Sequence, residues 1–155
     1  MRRKDKEITN RSDMEAIIKK AAVCRLGMID NNLPYIVPLN YGFQDNTLYF
    51  HSALKGRKID LLEQQQTLCF QIDLAGDPIA ADRACDWGMT FQSVIGYGKP
   101  YFIDDPDKKK EALAIIMAQY SDRKFDFPAN SLKGTRVFKV VIDQMSGKQS
   151  GNPVK

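Results

Sequence analysis

Pro34-Tyr35-Ile36-Val37-Pro38-Leu39-Asn40-Tyr41-Gly42-Phe43, then Asp45-Asn46, then Thr47-Leu48-Tyr49-Phe50-His51-Ser52 are two β-forming runs on either side of a tight turn. Asp and Asn tolerate positive φ, so Asp45-Asn46 predicts a hairpin. A link this short cannot make a parallel crossover, so the strands it joins are antiparallel. Pro38 interrupts the first run and cannot donate to a ladder, which puts that strand at an edge or on a bulge.

Upstream, Val23 to Ile29 reads as another strand, closed by the turn Asp30-Asn31-Asn32. Before it, Ser12-Asp13-Met14-Glu15 has the form of a capping box, with Ser12 as N-cap. Met14, Ile17, Ile18 and Ala21 follow at helical spacing. Downstream, Lys58 to Glu63 predicts a short helix entered through Gly56, and Thr67 to Leu74 a fourth strand. Ala75 to Asp86, with Gly76, Pro78 and several charges, reads as an irregular connection. Met89 to Ile103 has the length of a long strand that bends at Gly96 and Gly98. Asp105-Pro106 opens a third helix with buried positions Ala112, Leu113, Ile116, Met117 and Tyr120. Thr135 to Ile142 alternates as a closing strand. The polar tail from Ser146 to Lys155 is expected to be disordered or to reach a partner chain.

No repeat or linker divides the 155 residues, so one domain is expected over 1–155. The class is mainly β: a barrel of six or so antiparallel strands with peripheral helices. Several strands are apolar at nearly every position, which calls for cover on both faces, part of it from a second subunit. The net charge is +4, with cations and acids interleaved, a pattern that disfavours nucleic acid. No apolar run approaches the ~20 residues a membrane span needs, and the charged start lacks the apolar core of a secretory signal. Cytoplasm is the expected compartment. Cys24, Cys69 and Cys85 show no paired spacing, which argues against a disulfide framework or structural zinc. The first two read as small buried apolar residues; Cys85 is either exposed and inert or a reactive thiol.

Chemistry concentrates around Phe50 to Lys58. His51 and Ser52 end a strand, Gly56 permits a close turn, and Arg57-Lys58 begin a helix. Free amides and the helix dipole favour an anion there, and two cations with a hydroxyl suit a phosphate. An ordinary solvated basic turn fits the same residues. His51 is the chain's single histidine, so metal catalysis is disfavoured and no metal is expected. No G-x-S-x-G elbow is present either. A chain so short of acid–base groups suits a cofactor that brings its own chemistry. Val37, Leu39 and Asn40 beside Pro38 could form the wall for a planar heterocycle, or simply a bulged strand. Trp87 reads as a packing anchor. Gln92 and Ser93 either contact a ligand or line a strand's outer face.

Four pieces in order carry a resemblance: Cys24-Arg25-Leu26-Gly27; Pro34 to Gly42; Leu48 to Ala53 with Gly56-Arg57-Lys58; and Ser93-Val94-Ile95-Gly96-Tyr97-Gly98. Together they resemble the pyridoxamine 5′-phosphate oxidase-like flavoproteins, most closely the nitroimidazole-resistance branch, which the opening Met1 to Ile8 also resembles. The resemblance implies an FMN-binding split β-barrel, a homodimer with FMN at the interface. It implies that Ile36, Val37, Pro38, Leu39, Asn40 and Tyr41 run along the flavin ring, with His51 and Ser52 near ring and phosphate. Arg57 and Lys58 would hold the phosphate, Ser93 would reach across the dimer, and Gln92 would assist. His51 would also be the candidate catalytic residue, donating a proton or orienting a small-molecule substrate. The end of the chain, Ile142 to Ser150, lacks the arginine and histidine with which true pyridoxamine phosphate oxidases grip substrate. That departure disfavours vitamin B6 oxidation; the expected activity is reduction of a small acceptor, such as a nitroaromatic, with electrons from NAD(P)H. The alternative is a non-enzymatic flavin or haem binder.

Overall fold

The computed structural model describes residues 2–151. Its strands are β1 (Glu7–Ile8), β2 (Cys24–Asp30), β3 (Leu33–Leu39), β4 (Gly42–Gln44), β5 (Thr47–Ser52), β6 (Leu68–Ile79), β7 (Gly88–Ile103) and β8 (Arg136–Ser150). The helices are α1 (Arg11–Lys20), α2 (Arg57–Gln64), α3 (Pro106–Ala118) and α4 (Ala129–Lys133). All eight strands belong to one antiparallel sheet in the order β3-β2-β6-β7-β8-β5-β4, with β1 added beside β8. β3 pairs only with β2, so Pro34 and Pro38 sit on an edge, where a missing N–H costs no ladder bond.

Both predicted turns form: Asn31, Asn32, Asp45 and Asn46 all have positive φ. The run Pro34–Phe43 is not one strand, however. It breaks after Leu39 because Tyr41 turns into the core and Gly42 passes against the backbone of α3, 2.5 Å from where a Cβ would stand. This break is what carries the chain from the β2 side of the sheet to β5.

β7 bends where predicted. Its register against β8 shifts between Tyr97 and Gly98, and a Cβ on Gly96 would lie 2.3 Å from the Phe70 ring. Ala75 to Asp86 is more ordered than expected. β6 runs on to Ile79 across a bulge opposite Thr90, whose hydroxyl accepts from the Asp77 amide (2.7 Å), and a single 3-10 turn follows at Ala84–Asp86. The tail is likewise corrected as far as Ser150, because Phe91–Val94 on one side and Glu7–Ile8 on the other complete its ladder. Residues 152–155 lie outside the described residues.

The core is built on Phe50, stacked on Phe138 at 5.1 Å, with Tyr41, Phe70, Leu26, Leu48, Ile72 and Val140 around them. Met14, Ile17, Ile18 and Ala21 are buried, as the helical spacing predicts. The cap of α1 differs: Asn10, not Ser12, is the N-cap, its Oδ1 accepting from the Ser12 amide at 3.0 Å. Glu15 pairs instead with Arg11 at 2.9 Å. Asn10→Ala is expected to cost about 1 kcal/mol and Ser12→Ala under about 0.5 kcal/mol, read from urea midpoints. A larger loss in Ser12→Ala would make Ser12 the N-cap. Asp105 caps α3 as read, accepting from the amides of Asp107 and Lys108. Trp87 is not a packing anchor. It is 56% exposed, its indole N–H donating to the Ala81 carbonyl at 2.7 Å.

Candidate functional site

β5 delivers His51 to the surface because strand alternation turns Leu48 and Phe50 into the core and His51 away from it. The His51 side chain is exposed and has no hydrogen-bond partner among the described residues. It lines a cleft of about 220 Å³ together with Val23, Pro38, Leu39 and Asn40. The predicted strand wall and the predicted histidine thus meet in one place, although they stand on strands far apart in the sheet order. Along β3 and at the residue after it, Ile36, Pro38 and Asn40 are exposed, while Val37 and Leu39 are half-buried and pack on the core. Asn40 Nδ2 donates to the Ala22 carbonyl at 3.4 Å.

Tyr41 departs from its expected place on that wall. It is fully buried, its hydroxyl reaches the carbonyls of Ile18 and Ala21, and its amide donates to the Tyr120 hydroxyl at 2.8 Å. Burial pushes its phenol well above the usual range. The side chain joins α1 to the core and offers nothing to a ligand.

Beyond Ser52 the chain turns through Gly56, at φ 132°, into α2. No atom lies within 4 Å of where a Gly56 Cβ would stand. The space over the helix start is therefore open, and the amides of Arg57 and Lys58 precede the first helical bonds, which begin at Ile59 and Asp60. Lys58 is half-buried with no acidic partner among the described residues, and burial lowers its pKa below 10.5. Arg57 is more constrained than expected: Nε donates to Asp30 Oδ2 at 2.6 Å and the guanidinium lies over the Tyr35 ring at 4.3 Å. A half-buried cation without a counter-charge, free amides, and an open approach together make a donor set suited to a phosphate.

The depressed Lys58 pKa has a consequence of definite sign. The folded chain binds this proton more weakly than the unfolded chain, so stability rises with pH from the lowered value up to 10.5. Lys58→Met is therefore expected to stabilise the ligand-free protein at neutral pH and to flatten that rise, as measured by urea unfolding at pH 7 and 10. A variant less stable than the parent at neutral pH would show that Lys58 has a counter-charge after all.

Gln92 and Ser93 are not brought to this cleft within one chain. They pair with Gln149 and Lys148 on β8, whereas His51 pairs with Val137, roughly 35 Å of strand away. Ser93 Oγ donates to the Lys148 carbonyl at 3.5 Å, and Gln92 Nε2 to Gln149 Oε1 at 3.4 Å. Cys24 is buried, Cys69 half-buried and Cys85 exposed. Among the described residues no three His, Cys, Asp or Glu side chains converge as a metal site, and no helix is long and apolar enough to cross a membrane. Asp30 and Tyr35 are the neighbours of the site that sequence reading missed. Asp30 read only as a turn residue, and nothing local marks it as the partner of Arg57.

The sequence and the fold that carry this cleft both match known proteins. The pyridoxamine 5′-phosphate oxidase family profile matches residues 10–149, and the chain belongs to that family. Its fold is the family's split barrel. A proposed 5-nitroimidazole antibiotic resistance protein from Bacteroides thetaiotaomicron is similar at 34% identity and TM-score 0.84, over 92% of this chain and 86% of that one. The flavocytochrome Anf3 of Azotobacter vinelandii (22% identity, TM-score 0.86, 99% and 73% covered) shares the fold. So does an FAD- and haem-binding protein of Mycobacterium smegmatis (15%, TM-score 0.87, 97% and 76%). No curated protein matches in sequence.

Proposed function

We propose that this chain is a cytoplasmic FMN-dependent oxidoreductase, working as a homodimer that passes electrons from a reduced nicotinamide to a small acceptor such as a nitroaromatic. The observation that carries the reading is the half-buried Lys58, with no acidic partner among the described residues, at the free amides of α2, one short loop from the His51 cleft. FMN, when bound, supplies the redox chemistry. Arg57, Lys58 and the α2 amides hold its phosphate, and Ser52 adds a hydroxyl donor. Ile36, Pro38 and Asn40 form the wall for the ring. His51 faces the remaining space, where it orients the acceptor or gives it a proton. The 34% identical relative supports a nitroaromatic acceptor.

Dimerisation is supported by the sheet's outer face. Ile36, Gly27, Cys69 and Tyr97 stand in one cross-strand row, with Ile36 65% and Tyr97 45% exposed. An apolar row of that kind favours association, and a second copy docked there supplies Gln92 and Ser93 to the cleft.

Two results test the chemistry. Anaerobic mixing with NADH or NADPH is expected to bleach the flavin; colour that persists with both removes the nicotinamide. His51→Ala is expected to keep the cofactor and to lower turnover of a nitroaromatic; unchanged turnover takes His51 out of the reaction. Haem is a second reading, favoured by the exposed His51, unpartnered among the described residues, and by the haem in the name of one fold relative.

A further inference from the structure

We propose that Asp30 and Tyr35 are positioning residues that hold Arg57 aimed at the phosphate, and so set the site's preference for a phosphorylated flavin over an unphosphorylated one. The proposal rests on the FMN reading above. Arg57 is exposed and long, and a free guanidinium at such a position would sample many rotamers. Here it is fixed from two directions. Its face lies on the Tyr35 ring, 4.3 Å from the centroid, and its Nε edge is held by Asp30 Oδ2 at 2.6 Å.

The carboxylate is itself held. Asp30 Oδ1 accepts from Asn31 Nδ2 at 2.9 Å, at the first residue of the positive-φ turn that closes β2 and β3. Gln65, just past α2, donates to the Ile29 carbonyl at 2.6 Å. The helix is thereby tied to the same hairpin at both ends.

The decisive detail is which atoms the clamp uses. Asp30 takes only Nε, and neither Nη group has a partner among the described residues. Two Nη groups are what a phosphate uses when it accepts two parallel bonds from arginine. A carboxylate acting as a rival anion would occupy that fork; this one leaves it open and orders it. Ordering before binding lowers the entropy cost of capture, by an amount that corresponds to about two- to tenfold in affinity for one long side chain. Riboflavin lacks the phosphate and gains nothing from it.

The experiment is a pair of fluorescence titrations, with FMN and with riboflavin, on the parent and on Asp30→Ala, Tyr35→Leu and Tyr35→Phe, each first checked for folding by thermal melting. The FMN-to-riboflavin affinity ratio is expected to fall about two- to tenfold in Asp30→Ala and Tyr35→Leu. It is expected to be kept in Tyr35→Phe, which retains the ring. A ratio unchanged in Asp30→Ala and Tyr35→Leu overturns the proposal, because a purely structural role moves both ligands together. A ratio that rises in Asp30→Ala also overturns it, since Asp30 is then a competitor. If the parent shows no preference for FMN, the phosphate site itself is wrong and the positioning role falls with it; that outcome is distinct, because it appears before any variant is compared.

Discussion

Arg57→Ala and Lys58→Ala combined in one chain are expected to weaken FMN binding at least tenfold. A charge-assisted hydrogen bond is worth ~1.5–3 kcal/mol, and about 1.4 kcal/mol is a factor of ten. The two losses do not simply add. Arg57 is exposed and already shares its charge with Asp30, and neighbouring residues couple. Lys58 is the stronger contributor because it is half-buried without an acid among the described residues, so an arriving phosphate supplies the missing counter-charge. The same reasoning predicts that parental FMN affinity falls with added salt, and that the double variant falls less steeply. A dissociation constant unchanged in the double variant would remove the phosphate from this helix.

The second large effect lies one residue from the cleft. Phe50→Ala is expected to cost ~3–5 kcal/mol, against a total stability on the order of 5–15 kcal/mol for a domain. Phe50 is fully buried, stacked on Phe138 at 5.1 Å and tilted against Tyr41 at 6.3 Å. Its removal leaves a cavity where β5, β8 and the Tyr41 crossing meet. The urea midpoint is expected to drop with an unchanged slope, and cofactor binding to weaken in parallel, because His51 and Ser52 hang on the same strand. A loss below about 1 kcal/mol would mean that the ring packs far less tightly than these distances imply.

Much of this arrangement is legible in the residues, for reasons that differ from place to place. Asp45-Asn46 and Asn31-Asn32 announce their turns because few residues accept positive φ. Pro38 announces an edge because it cannot donate, and Gly96 and Gly98 announce a bend because the sheet leaves no room for side chains. Tyr41 is placed on the wall by the resemblance alone, while its hydroxyl is satisfied by carbonyls at the end of α1 and just past it, twenty or more positions back in the chain. The tail misled because its polarity hides a strand that other strands complete from both sides. α4 and β1 are too short to leave a period in the sequence. The separation of Ser93 from His51 is a matter of register, which local pattern does not encode.

The absorbance spectrum of the protein as purified tests the central claim most directly. A bound flavin is expected, with its two visible bands, and with mass spectrometry of the released cofactor identifying FMN. A Soret band in their place, or a colourless protein that takes up no FMN when it is supplied, would contradict the assignment of the His51 cleft and the α2 helix start as a flavin site.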